Sequence, residues 1–145
     1  MSTQDIEGPQ DVAEDADAET ADMDFEIAFY EAILEQAPNC VDVLMALSNN
    51  YTRRGLFEKG LNADQRLCRL RPSDPIIRYN LACSYSLLGQ CDDALDTLQQ
   101  AVCLGYSDLA FIQQDPDLEV VRQDPRYITF LEGLQLKKPR PKPAR

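Results

Sequence analysis

An all-α fold is the expectation, and three features of the 145-residue chain carry it. Apolar residues recur at helical spacing over most of the span from Met23 to Leu134. Glycines stand where those runs break, at Gly55, Gly89 and Gly105, as they do where a helix closes and the chain turns back. Asp-Pro pairs stand where runs begin, at Asp74-Pro75, Asp115-Pro116 and Asp124-Pro125. The carboxylate of such a pair caps free helix amides, and proline fits the first turn.

Pro75 to Tyr106 is the clearest unit. Leu81, Ala82, Tyr85 and Leu88 share one helical face, as do Ala94, Leu95, Leu98, Ala101 and Val102. The two runs flank Leu88-Gly89-Gln90, which predicts a helical hairpin. A shift of 34 residues lays Gly89 on Gly55, Tyr85 on Tyr51, Leu81 on Leu47 and Leu95 on Leu61. At Leu81, Ala82, Tyr85, Gly89, Ala94 and Ala101 the hairpin resembles a tetratricopeptide (TPR) repeat. The resemblance implies a right-handed α-solenoid of about two and a half TPR hairpins followed by C-terminal capping helices. Its domain covers 23–136: a half repeat over 23–38, repeats over 41–74 and 75–108, and a cap over 109–136.

The helices follow in order. Phe25, Ile27, Ala28, Tyr30, Ile33 and Leu34 are periodic up to Ala37-Pro38-Asn39, and proline disfavours helix in the residue before it. The next helix runs from about Val41 to Arg54 with Leu44, Leu47, Ser48 and Tyr51 inward, and another from about Phe57 to Leu70. This repeat departs from the pattern twice. Gly60 stands where the clearer repeat has Ala94, at a helix-interior cost of about 1 kcal/mol. Asp64 stands where it has Leu98, and a charge there is costly unless paired or wet. The expectation is a loosely packed helix with Asp64 tilted to solvent, a buried functional aspartate being the alternative. Beyond Tyr106, Asp108 caps a short helix, Asp115-Pro116-Asp117 opens a second with Leu118, Val120 and Val121, and Asp124-Pro125 opens a third with Tyr127, Phe130, Leu131 and Leu134. The segment resembles the tail that closes many bacterial tetratricopeptide proteins.

Charge is concentrated at the ends. The formal net charge is -11; residues 1–40 hold twelve acids and no base, and residues 137–145 hold five bases and no acid. Residues 1–22 read as an acidic disordered arm, too poor in large apolar residues to offset the entropy of ordering. Residues 137–145 read as a basic, proline-rich extended tail. No apolar run is long enough to cross a membrane, and the first residues are acidic rather than basic then apolar. The expectation is a cytoplasmic protein without membrane insertion. The five cysteines have irregular spacing and no C-x-x-C pair, as expected of free thiols rather than disulfides or a zinc site.

Catalysis finds little support. There is no histidine, no glycine-rich phosphate loop, and no serine or cysteine beside a recognisable activating partner. The reading is therefore a non-enzyme with no cofactor and no metal. The family resemblance implies instead a concave groove lined by the first helix of each hairpin. Its positions here are Asp42, Met45, Asn49, Thr52 and Arg53 in one repeat, and Ile76, Tyr79, Asn80, Cys83 and Ser86 in the next. Asn49 and Asn80 coincide with amides that some family members use to clamp a C-terminal carboxylate. The clamp's cations are absent, with Met45 at a lysine position and Ala110 and Gln114 where a third repeat supplies bases.

The expected function is a protein–protein adaptor that binds an apolar extended or helical segment of a partner in this groove, with Tyr79 at its centre. One alternative is a small acidic chaperone for a secreted or membrane-inserted protein, similar to those of type III secretion. Another is nucleic-acid association through the basic tail, the weaker reading because the tail has no aromatic residue for stacking. Far-UV circular dichroism of the purified chain is expected to show helix and no appreciable sheet; a sheet-dominated spectrum overturns the fold class.

Overall fold

Consecutive helices pack on one another along the chain. The computed structural model describes the backbone of residues 10–137, and no strand occurs among them. Eight α-helices run in order: α1 (Gln10–Gln36), α2 (Val41–Arg53), α3 (Phe57–Leu70), α4 (Pro75–Leu87), α5 (Cys91–Cys103), α6 (Leu109–Gln114), α7 (Glu119–Arg122) and α8 (Pro125–Lys137). A 3₁₀ turn, Pro116–Leu118, links α6 to α7. Each of α1 to α4 packs against the next, and α4 also touches the 3₁₀ turn and α7.

The turns explain the repetition. Gly55, Gly89 and Gly105 adopt φ of 81°, 74° and 115°, where a side chain is strained. Each ends its helix in a Schellman motif. Leu56 N–H bonds Tyr51 C=O (2.8 Å), Gln90 N–H bonds Tyr85 C=O (2.9 Å), and Tyr106 N–H bonds Ala101 C=O (3.0 Å). The Asp-Pro starts cap as their chemistry requires: the Asp74 carboxylate accepts from Ile76 N–H (2.9 Å) and Ile77 N–H (3.2 Å).

Two apolar clusters form, and α4 is shared between them. Ile77 and Leu81 join Leu44, Leu47, Ala63 and Leu67 on the N-terminal side. Tyr79, Ala82 and Cys83 join Leu95, Leu98, Ile112, Leu118 and Val121 on the C-terminal side. The segment after Tyr106 thus supplies five of the twelve buried residues of the second cluster, and Leu118 and Val121 are fully buried in it. Five free cysteines are present, of which Cys68 and Cys83 are buried. No helix among the described residues is long and apolar enough to cross a membrane.

The acidic N-terminal stretch departs from expectation. Residues 1–9 lie outside the described residues, but Gln10–Asp22, expected as part of a disordered arm, continues α1. Ala13, Ala16, Ala18 and Ala21 favour helix. The acids of α1 also meet the basic end of α2, with Glu19 beside Arg53 (3.3 Å) and Asp24 beside Arg54 (2.8 Å). Deeper pairs fix the register: Asn50 Nδ2 donates to Glu26 (2.9 Å) and Tyr51 Oη to Glu31 (2.5 Å). At the other end, Lys137 closes α8, and the basic tail from Lys138 lies outside the described residues.

Leu118 links the closing segment to α4 and α5, so Leu118→Ala is expected to destabilise the chain by about 3 kcal/mol in urea unfolding. Val120→Ala, at a 45% exposed position two residues away, should change stability by less than about 0.5 kcal/mol. Equal effects at the two positions rule out a closing role for this segment.

Candidate functional site

A groove of about 400 Å³ lies between α2, α4 and the segment around Asp115. Helical spacing builds its walls. Met45, Ser48, Asn49 and Thr52 follow one stripe of α2, and Asn80, Cys83, Ser84 and Leu87 follow one stripe of α4. Asp64 and Leu67 of α3 form part of the floor; Phe111, Asp115 and Asp117 close the C-terminal side.

The sequence predicts Asp64 at the surface, but only 4% of it is exposed. Two hydroxyls make this burial tolerable. Ser48 Oγ donates to Asp64 Oδ1 and Ser84 Oγ to Asp64 Oδ2, both at 2.5 Å. Gly60, one turn earlier on α3, explains the close approach. A Cβ at that position would stand 3.2 Å from Thr52 Oγ1, so the missing methyl lets α3 settle against α2. The two departures from the repeat pattern are thus one feature. Burial pushes the Asp64 carboxyl above its ordinary range, against the opposing pull of Ser48 and Ser84.

Asp115 is the second buried carboxylate. Its Oδ1 accepts Asp117 N–H (3.0 Å), capping the 3₁₀ turn, while its Oδ2 accepts Tyr79 Oη–H (2.6 Å) and the Cys83 thiol (3.7 Å). Arg122 holds the backbone there, donating to the carbonyls of Asp115 (2.6 Å) and Ile112 (2.9 Å). Tyr79 stacks on Tyr106, with ring centroids 4.2 Å apart and planes 3° from parallel. Burial pushes the Cys83 thiol far up, and the Asp115 charge adds to it. Burial and then the Asp115 charge likewise raise the Asp117 carboxyl. Cys83, Asp115 and Asp117 bring one sulfur and two carboxylate oxygens within 4.8 Å of each other. A metal there would have to displace the thiol proton that this environment retains.

Of the ten residues expected along a groove, Met45, Asn49, Thr52, Tyr79, Asn80 and Cys83 converge on this one. Ile76 lines an adjoining hollow with Tyr106 and Phe111. Asp42 and Arg53 line neither hollow, and Arg53 pairs with Glu19. Ser86 is wholly buried and also lines neither. Tyr79, expected as an exposed centrepiece, is 3% exposed. The closing segment covers it, because Asp115 takes its hydroxyl and Tyr106 its face. Cys83 is buried for the same reason. Sequence reasoning missed Ser48, Asp64, Ser84, Phe111, Asp115 and Asp117. The legible signal was a serine in each of two apolar helix faces opposite an aspartate on the helix between them.

A scan against protein-family models finds no match. Among curated proteins, the chain is similar to a chloroplastic protein of Arabidopsis thaliana, with 31% identity over 85 residues. The match covers 57% of this chain and 25% of that protein, so the shared region is about a quarter of the relative.

Asp64 generates a pH prediction. Its carboxyl binds a proton more tightly in the folded chain than in the unfolded one, so its charge opposes folding above the raised pKa. That penalty vanishes as pH falls from the raised value through the ordinary 3.8. Asp64→Asn keeps an acceptor for one serine and a donor for the other. The variant should be more stable than the parent near neutral pH, and the difference should close on acidification through that window. Urea midpoints across pH check it; a difference that widens toward acid overturns the sign.

Proposed function

We propose that the chain is a tetratricopeptide-type array, a right-handed α-solenoid of about two and a half hairpins closed by α6 to α8, and that it acts without catalysis. In this reading it is an adaptor that holds a peptide segment of a partner protein in the groove between α2 and α4. The carrying observation is the convergence of six expected positions on one groove. Schellman turns 34 residues apart at Gly55 and Gly89 support the repeat. Exposed Asn49 and Asn80 stand on facing walls, and each amide can both donate to and accept from a peptide backbone. The polar groups of the groove favour binding over turnover: Ser48 and Ser84 are held as hydrogen-bond donors to Asp64, and the Cys83 thiol stays protonated.

One observation favours the chaperone reading as a second possibility. Phe25 and Phe29, 73% and 55% exposed, lie one turn apart on α1 and offer apolar surface outside the groove. A cytoplasmic location belongs to the proposal too; the relative's name places that protein in the chloroplast. Fractionation of the tagged full-length chain decides between the two compartments.

The test is a partner captured by the full-length chain, identified by mass spectrometry and then titrated. Asn49→Ala with Asn80→Ala should weaken it by roughly 2 kcal/mol, about thirty-fold. Melting should stay unchanged, because both amides are exposed. Full affinity in that variant means the partner binds elsewhere, with the Phe25 and Phe29 face as the next site to alter.

A further inference from the structure

We infer that the groove selects partner segments bearing a lysine or arginine, whose side chain enters between α2, α4 and the Asp115 segment to meet the carboxylates of Asp64, Asp115 and Asp117. The inference rests on the peptide-groove reading and adds the chemistry of the guest. It also changes the expected guest from a purely apolar segment to one with a cation among apolar neighbours.

Unbalanced charge carries the argument. Three carboxylates line one groove, and no lysine or arginine lines it with them. Asp64 and Asp115 are 4% and 6% exposed. Ion pairs among the described residues lie elsewhere: Arg53, Arg54 and Lys59 serve acids of α1, and Arg126 serves Asp92 and Asp124. Buried carboxylates are normally matched by a cation. Here Asp64 has two hydroxyls and Asp115 a phenol, a thiol and an amide, all neutral donors.

Acceptor capacity is left over. A carboxylate offers about four lone-pair sites, and Asp64 uses one on each oxygen. The Asp117 carboxylate takes no side-chain bond among the described residues. An entering guanidinium or ammonium would make charge-assisted bonds to acceptors already fixed in place. The rim suits the rest of such a guest. Met45, Ile76 and Phe111 are 37%, 58% and 46% exposed at the edges of the groove and the adjoining hollow. They can cover the aliphatic stem of the basic side chain and its apolar neighbours, while Asn49 and Asn80 take the backbone. This rim distinguishes a peptide from a free polyamine.

The test titrates the isotope-labelled full-length chain with three acetylated, amidated peptides. They share a Leu-, Ile- and Asn-containing sequence and differ at the centre: arginine, its neutral isostere citrulline, or glutamate. The arginine peptide should shift the side-chain amide signals of Asn49 and Asn80 and bind about tenfold tighter than the citrulline peptide. The glutamate peptide should bind weakest. Asp64→Asn with Asp117→Asn, shown to be folded by its melting curve, should cut the arginine preference over citrulline to the part that Asp115 alone supplies. Equal affinities in the parent chain, with the Asn49 and Asn80 signals still shifting, overturn charge selection and leave the groove reading standing. An arginine preference that is undiminished in the double variant overturns the assigned carboxylates. No shift of those signals with any of the three peptides overturns the inference and the groove reading together.

Discussion

Helix α4 gives a hydroxyl to a buried carboxylate on each side of it, and the arrangement of its neighbours depends on those two bonds. Ser84 reaches back to Asp64 of α3, and Tyr79 reaches forward to Asp115 ahead of the 3₁₀ turn. A buried carboxylate without donors costs several kcal/mol, so neither neighbour can slide along α4 without losing its partner. Apolar packing alone would fix these positions less sharply, because aliphatic contacts are non-directional. The two clusters that meet at α4 supply cohesion. The hydroxyl–carboxylate pairs supply register.

The same pairs set the character of the groove. They place negative charge at the floor of a cleft whose edges are apolar and whose walls carry amides. In the free chain, the Asp64 charge opposes folding, as its raised carboxyl indicates. A position that works against stability while lining a cleft is where local rules of good packing give way to a site. The cost is limited because Ser48, Ser84 and the close approach at Gly60 together make the carboxylate tolerable there.

Much of the helix order was legible because its signals are local. Apolar periodicity placed α2 to α5, and glycines and Asp-Pro pairs placed their ends to within about a residue. The acidic stretch before Met23 was misjudged for the converse reason. Its alanines favour helix, but the partner of Glu19 is Arg53, 34 residues away. The groove was legible only along its helical walls. Met45, Asn49 and Asn80 follow from repeat position, whereas the fate of Tyr79 depends on where Asp115 and Tyr106 arrive. Asp64 looked like a defect because Ser48 and Ser84, though each stands in an apolar helix face, are joined to it only by the fold. Tertiary hydrogen bonds between distant side chains have no periodicity to betray them.

The helix-closing turns carry a consequence for how such a chain changes length. Gly55 and Gly89 end their helices with the same pair of backbone bonds and nearly the same φ. The stretch from one to the other therefore begins and ends on equivalent joints. An in-frame copy of it would add two helices together with their own stop signal, and the joint at each splice would be one the backbone already makes. Loss of the stretch would leave an equally sound joint. A change in the number of helices between α1 and the closing segment would therefore need no new kind of turn.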